Sequence, residues 1–405
     1  MWNRLLTWIT CLCLLFFCGC GKKEPNPDPA VSQKPETAEL SEQIFGMWFS
    51  YIEYRDLCQG MSEEEFSSFC SEAVKNMQSI GINRLYLHAA AFTDAFYDSE
   101  IYPRTAVLPD IDYDPFLIFS KTARASGMKV EAWINPMRSV TVSEAVNLPE
   151  DFIIRRWIEE NNERVRQSGD RYYLNPAYPE VRALIVSVAE EIMNRYEIDG
   201  IHMDDYFYPY DTERNFDAYV FSLEQEKNPE LTLEEFRTAN TDQMVKELHD
   251  AVKRKNPKLM FDISPAGNIE NCLTMIYANP YHWAQQGTVD YILPQIYWGY
   301  LHPIKPFEPT LEEWLKVVEG TKTALVPGLA AYRIGVYQNV SNDDTINREF
   351  IENTDLMARQ VETSLQHGCM GTAFFSYASF FAPTEETAEN VEKEIIHIKN
   401  LAGLN

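Results

Sequence analysis

The sequence predicts an α/β fold, a (β/α)8 TIM barrel, on three observations. Short β-rich runs alternate with helical patterns, eight such repeats can be counted, and polar side chains recur where the runs end. Strands are expected at 45–51, 84–90, 129–135, 200–206, 259–264, 291–298, 324–331 and 371–377, each followed by a helical stretch. Ser62 followed by Glu65 is a capping box that opens an amphipathic run to Ile80. Between Pro179 and Tyr196, Val181, Leu184, Ile185, Val188, Ile192 and Met193 fall at core spacing, and a helix at 383–398 closes the ring. Long connections are expected after the third strand (136–179) and the fourth (207–240), on the face where barrels bind ligands. An open doubly wound sheet fits less well, because no Gly-rich phosphate loop follows the first strand.

The N-terminus carries a different signal. Arg4 precedes an apolar stretch at 5–18, too short to cross a bilayer comfortably, which marks 1–19 as a signal peptide. The stretch ends in Phe17-Cys18-Gly19-Cys20, which resembles a bacterial lipobox, although Phe17 and Cys18 depart from the Leu and the Ala or Ser usual there. The resemblance implies that Cys20 becomes the first mature residue and carries lipid. Residues 20–43 contain four prolines between Pro25 and Pro35 and almost no large apolar side chains, the composition of a flexible tether. The organisation expected is therefore signal peptide (1–19), lipidated tether (20–43) and one barrel domain (44–405), held at a membrane outside the cytoplasm.

A formal charge of −26 argues against a nucleic-acid partner and for a neutral or cationic one. Of the eight cysteines, Cys58, Cys70, Cys272 and Cys369 remain in the body without zinc spacing. They read as isolated buried thiols rather than as a Cys58–Cys70 bridge. No cofactor motif is present.

Strand ends supply the candidate site, because eight of them converge on one mouth. His88 ends the second strand, Asn135 the third, Asp204 and Asp205 the fourth, Ser264 the fifth, Gln295 and Tyr297 the sixth, Arg333 the seventh, and Ser376 and Tyr377 the eighth. Strand alternation puts His202 and Asp204 on the inward face, with Ile201 and Met203 toward the helices. A carboxylate fixed there can act as nucleophile or base in glycosidic cleavage, which needs a second carboxyl group with a separate protonation role. Asp205 and Asp94 are the preferred partners. Glu53, Asp98, Glu131 and Asp262 are further candidates, the last two lying deeper in their strands. Trp48, Trp133, Tyr206, Tyr208, Tyr297, Trp298, Tyr332 and Tyr377 surround these positions and offer ring faces for sugar C–H surfaces.

An ordered set of segments spanning Phe45 to Ser379 resembles the bacterial "family 10 glycosylhydrolase" lipoproteins. It comprises Asp94-Ala95-Phe96-Tyr97, Ala132-Trp133-Ile134-Asn135-Pro136, Leu174-Asn175-Pro176-Ala177-Tyr178-Pro179, Asp199-Gly200-Ile201-His202-Met203-Asp204-Asp205-Tyr206, Ile263-Ser264-Pro265, Pro294-Gln295-Ile296-Tyr297-Trp298 and Gly328-Leu329-Ala330-Ala331-Tyr332. The resemblance implies a TIM barrel that hydrolyses a glycan, with peptidoglycan strands stripped of peptides among the substrates. It also makes Asp204 comparable to the nucleophile position of α-amylase-like barrels. The fifth strand departs from that analogy, offering Asp262 and Ser264 and no Glu at the usual acid position.

The sequence thus favours a glycosidase with Asp204, Asp205 and Asp94 as its acids. His88, Trp133, Asn135, His202, Tyr206, Tyr208, Gln295, Tyr297, Trp298, Tyr332 and Tyr377 are its expected sugar contacts. Two alternatives remain open: a non-catalytic carbohydrate-binding lipoprotein, and a metal site using His88, His202, Asp204 and Asp205. The metal reading is weakened by the absence of a His-x-His pair on the first strand.

Overall fold

The structure is a computed structural model that describes residues 42–404. The expected signal peptide, Cys20 and nearly all of the tether lie outside the described residues. No helix among those described is long and apolar enough to cross a membrane.

Parallel strands form a closed ring of eight positions. Ile44–Phe49, Arg84–Ala90, Lys129–Ile134, Gly200–Met203, Met260–Ile263 and Tyr291–Ile292 pair in succession. The seventh position is split. Ala324–Leu325 pairs with Tyr291–Ile292, and Gly328–Leu329 pairs with the eighth strand, Gly371–Phe374. Pro327 interrupts it by lacking a donor. The eighth strand pairs with the first, and a bridge from Gln295 to Gly328 completes the circle. The expected (β/α)8 TIM barrel is therefore the fold.

Alternation along the strands divides two packing layers. Ile201, Met203, Phe261 and Ile263 join the large apolar layer between strands and helices, whereas Trp48, Tyr86, Trp133, Met260 and Tyr291 fill the barrel interior. Gly200 has a packing reason: a Cβ there would lie 2.6 Å from the Met260 carbonyl oxygen and 3.0 Å from Oε2 of Glu131.

Several boundaries differ from expectation, each for a local reason. The first strand stops at Phe49 because Ser50 caps a helix, Tyr51–Leu57, with Glu53 completing a capping box. The eighth stops at Phe374, and Tyr377 opens a short helix, Tyr377–Phe381. The connection at 136–179 is not irregular. It folds into an antiparallel sheet of Arg138–Thr141, Val165–Ser168 and Arg171–Leu174. After the fourth strand the loop is shorter than expected, since Thr232 and Glu235 box the start of a helix, Leu233–Lys255. Arg237 on that helix pairs with Asp217, both fully buried, and pins the loop down. Cys58, Cys70, Cys272 and Cys369 are free and buried, as read from their spacing.

Candidate active site

Beneath the mouth, strand register builds a polar floor. His88, Trp133, His202, Asp262 and Tyr291 stand side by side on neighbouring strands. The Trp48 indole donates to Nε2 of His202 at 2.9 Å. An indole N–H can only donate, so Nε2 carries no hydrogen, and Nδ1 must donate to Oδ1 of Asp262 at 2.5 Å. Burial pushes His202 down to about 3, which keeps it neutral. One rung lower, Glu131 accepts from Arg84 and from the Tyr291 hydroxyl. Burial and the neighbouring Asp262 raise Glu131 well above the carboxylate range, and burial raises Asp262 to about 7. These two acids, named as alternatives from the sequence, are thus floor groups. Neither lines the mouth cavity.

That cavity, about 280 Å³, is closed below by Trp48 and Trp133 and carries Asp204 and Asp205 on one wall. Asp204 is 3% exposed, and its Oδ1 accepts the Tyr206 amide at 3.1 Å. Burial and the charge of Asp205 raise Asp204 well above the usual carboxylate range. Asp205 is raised by burial as well, but Gln295 holds it down in part. Both carboxyl groups are thus raised, and because they act on each other they titrate as a pair, one proton leaving more readily than the other. Among the described residues that line the cavity, these are the only carboxyl groups.

The other walls are aromatic and amide groups. His88 stacks on Trp133 with ring centroids 3.7 Å apart, and its Nδ1 accepts the Tyr51 amide at 3.1 Å. Burial depresses it well below the usual histidine value, so it is neutral. Trp133 donates to Oδ1 of Asn135, and Gln295 donates to the Ser264 carbonyl oxygen. Tyr297, Tyr332 and Phe375 meet in pairs at 5.8, 6.0 and 6.2 Å. Tyr332 is 43% exposed and forms the outer lip.

Thus His88, Trp133, Asn135, Asp204, Asp205, Tyr206, Gln295, Tyr297 and Tyr332 are brought together. Five expected site residues are not. His202 lies in the floor, its two ring nitrogens engaged by Trp48 and Asp262. Tyr208 turns away and packs on Phe216 and Tyr277, because the loop after the fourth strand folds back onto Arg237. Trp298 packs at a tilt against His302 and lines a different cavity. Tyr377 packs between Phe49 and Phe69 in the helical layer, having started a helix instead of ending a strand. Asp94 accepts the amides of Ala91 and Phe92 and lines a neighbouring cavity. Glu53 is fastened to Ser50 and Ser376, and Asp98 lies near Arg195. Among the described residues no group of His, Cys, Asp and Glu is arranged to hold a metal.

Sequence reasoning missed Ser50, Tyr51, Ile52 and Phe375 as lining residues. It also missed Arg138, whose guanidinium lies 4.0 Å over the Tyr206 ring and whose charge acts on both aspartates. A basic residue three positions beyond Asn135 in so acidic a chain was the available signal.

A family profile described as glycosyl hydrolase-like 10 matches residues 43–345. The chain belongs to this family. It is 28% identical over 381 residues to glycosyl hydrolase DigH of Escherichia coli K12, a match covering 82% of this chain and 84% of that protein. It is also 28% identical over 298 residues to glycosyl hydrolase YngK of Bacillus subtilis 168, covering 68% and 58% respectively. Among solved structures, the PgaB (BpsB) glycoside hydrolase domain of Bordetella bronchiseptica matches with TM-score 0.56 and 13% identity, over 87% of this chain and 98% of that one. The endo-1,4-beta-mannanase of Rhizomucor miehei matches with TM-score 0.55 and 10% identity, over 89% and 95%. At such identities these likenesses concern the barrel alone.

Proposed function

We propose that the chain is a glycoside hydrolase in which Asp204 is the general acid and Asp205 its ionised partner. The observation that carries this reading is the pair itself: two neighbouring carboxyl groups on one cavity wall, both raised by burial, with the charge of Asp205 raising Asp204 further. In the first step Asp204 gives its proton to the glycosidic oxygen as the bond from the anomeric carbon breaks. Asp205 stabilises the positive charge that develops. Both acids come from one strand end, so the attacking group on the far side of the ring is supplied by the substrate or by water. A 2-acetamido sugar supplies it through its own carbonyl oxygen, which bonds to the anomeric carbon as the leaving group departs; water then opens the ring so formed, and Asp204 recovers a proton. This favours an amino-sugar glycan of the cell envelope, denuded peptidoglycan strands among them. The aromatic lip of Tyr297, Tyr332 and Phe375 suits the apolar faces of such sugars.

The test is a panel of peptidoglycan strands, chitin-like oligomers and plant or algal glycans, with Asp204→Asn as control. Cleavage of 2-acetamido substrates by the parent and not by the variant supports the reading. Among the described residues no carboxyl group stands on the facing wall, which favours a second reading, a carbohydrate-binding lipoprotein without catalysis. Tight glycan binding without product release would establish it. We further propose that 1–19 is cleaved and that lipidated Cys20 holds the domain at a membrane outside the cytoplasm through a tether at 20–43. Loss of fatty-acid labelling and of membrane fractionation in Cys20→Ala is the expected result. Unchanged fractionation would remove the anchor.

A further inference from the structure

A second cavity, about 540 Å³, adjoins the mouth and shares Tyr51 with it as a wall. Its size is that of a small-ligand site. Acidic residues outnumber basic ones in this chain by 61 to 35, yet Arg104 and Arg171 line this cavity and Arg138 sits at its junction with the mouth. Among the described residues none of these three has a carboxylate oxygen within 4.0 Å. Arg138 lies 4.8 Å over Phe92, a wall of the second cavity, and 4.0 Å over Tyr206, a wall of the first. Its Nε and Nη1 are buried without an acceptor. Arg171 lies 4.6 Å over the same Phe92 ring and spends one N–H on the Ser139 carbonyl oxygen. Arg104 spends one on the Tyr113 carbonyl oxygen.

The acids present bond none of these guanidinium groups directly and act on them only at longer range, Glu144 on Arg171 and the two mouth aspartates on Arg138. Glu144 accepts from the amide and hydroxyl of Thr141, and burial pushes the Asp94 carboxyl up toward its neutral form. Burial and the charge of Arg138 lower Arg171, and Glu144 and Asp170 offset this only in part. Guanidinium groups present donors in a fixed fork that matches a carboxylate, and orphaned buried donors are costly until an acceptor arrives.

We propose that this second cavity is a subsite for the carboxylate of an acidic sugar, held by Arg171 and Arg104 with Arg138 supplying positive potential at the junction. The inference rests on the glycosidase reading and deepens it: the sugar cleaved in the first cavity is joined to one bearing a carboxylate. Two kinds of glycan share that chemistry, those with a lactyl ether on a ring hydroxyl and those oxidised at C6 to uronates.

The experiment uses the full-length chain in detergent with Asp204→Asn to prevent turnover. It is titrated calorimetrically with a lactyl-ether amino-sugar tetrasaccharide, an oligouronide of equal length, and the carboxyl-reduced form of each. One acidic glycan is expected to bind roughly tenfold or more tighter than its reduced form. Whichever does so identifies the source of the carboxylate. Arg171→Gln removes that preference and leaves affinity for the reduced form in place, which also shows that the variant is folded. Arg104→Gln, at an exposed position, weakens the preference without threatening the fold. Equal binding of acidic and reduced glycans overturns the subsite alone, leaving the glycosidase reading intact. If no glycan in the set binds and none is cleaved by the parent, both readings fall together.

Discussion

The pair Asp204 and Asp205 gives a prediction with two separable parts. Asp204→Asn keeps the side-chain volume and an oxygen that can accept the Tyr206 amide, now bonded at 3.1 Å. With the proton assigned to Asp204, as proposed, the amide replaces a neutral group with a neutral group, and stability should change by less than about 1 kcal/mol. Loss of a general acid lowers the rate by about 10² to 10⁴, or roughly 3–5 kcal/mol of transition-state stabilisation. Asp205→Asn acts differently. The charge of Asp205 is one cause of the raised Asp204, so its removal lets Asp204 ionise at lower pH. The alkaline limb of kcat/KM should move down by about one pH unit or more, the shift expected of strongly interacting groups. The assay is kcat/KM against pH on a substrate found by the panel, with thermal melting alongside. An alkaline limb that stays in place in Asp205→Asn refutes the assignment of the proton to Asp204. A rate in Asp204→Asn close to that of the parent refutes its role altogether.

Three further outcomes follow from named contacts. Tyr332→Ala strips the exposed lip and should raise KM about tenfold, the equivalent of roughly 1.4 kcal/mol of stacking, with kcat little changed; a fall in kcat at constant KM would contradict a binding role. Trp48→Phe leaves Nε2 of His202 buried without its donor, and denaturant unfolding should show a loss of about 1–3 kcal/mol. No measurable loss would mean that the floor network does not support the barrel. Glu394, buried and bonded to the Ala358 amide, is raised from 4.5 to about 7 by burial. The folded state therefore retains a proton that the unfolded chain has released, so this group's contribution to stability falls as pH rises from about 4.5 to about 7. Glu394→Gln removes that dependence. The variant should gain on the parent across this window, by at most about 3 kcal/mol at its upper end, and a constant difference at every pH would disprove it.

Much of this was legible in the chain because it depends on short-range rules. Eight β-rich runs with helical patterns between them determine a barrel, and the alternation of Ile201, His202, Met203 and Asp204 determines which side chains face inward. The family motifs mark the same strand ends that line the mouth. Local chemistry that competes with the pattern was harder to weigh. Ser50 and Glu53 form a capping box and end the first strand, and Tyr377 begins a helix where an alternating pattern continues.

What only the tertiary structure decided is which acids meet. Parity alone treats His202, Glu131, Asp262 and Asp204 alike, since each can point into the barrel. Register around the ring assigns them to different depths, with Glu131 one rung below the row of His202 and Asp262, and Asp204 above. Burial and mutual charge then raise these carboxyl groups above their ordinary range. Asp94 looked equivalent to Asp205 along the chain, but its own loop amides capture it beside a different cavity. The alternation of apolar and polar residues thus determined the barrel and its inward faces. Strand register and loop packing, which join residues far apart in sequence, decided that among the described candidate acids only Asp205 shares the cavity of Asp204, and that the charge of Arg138 acts on both.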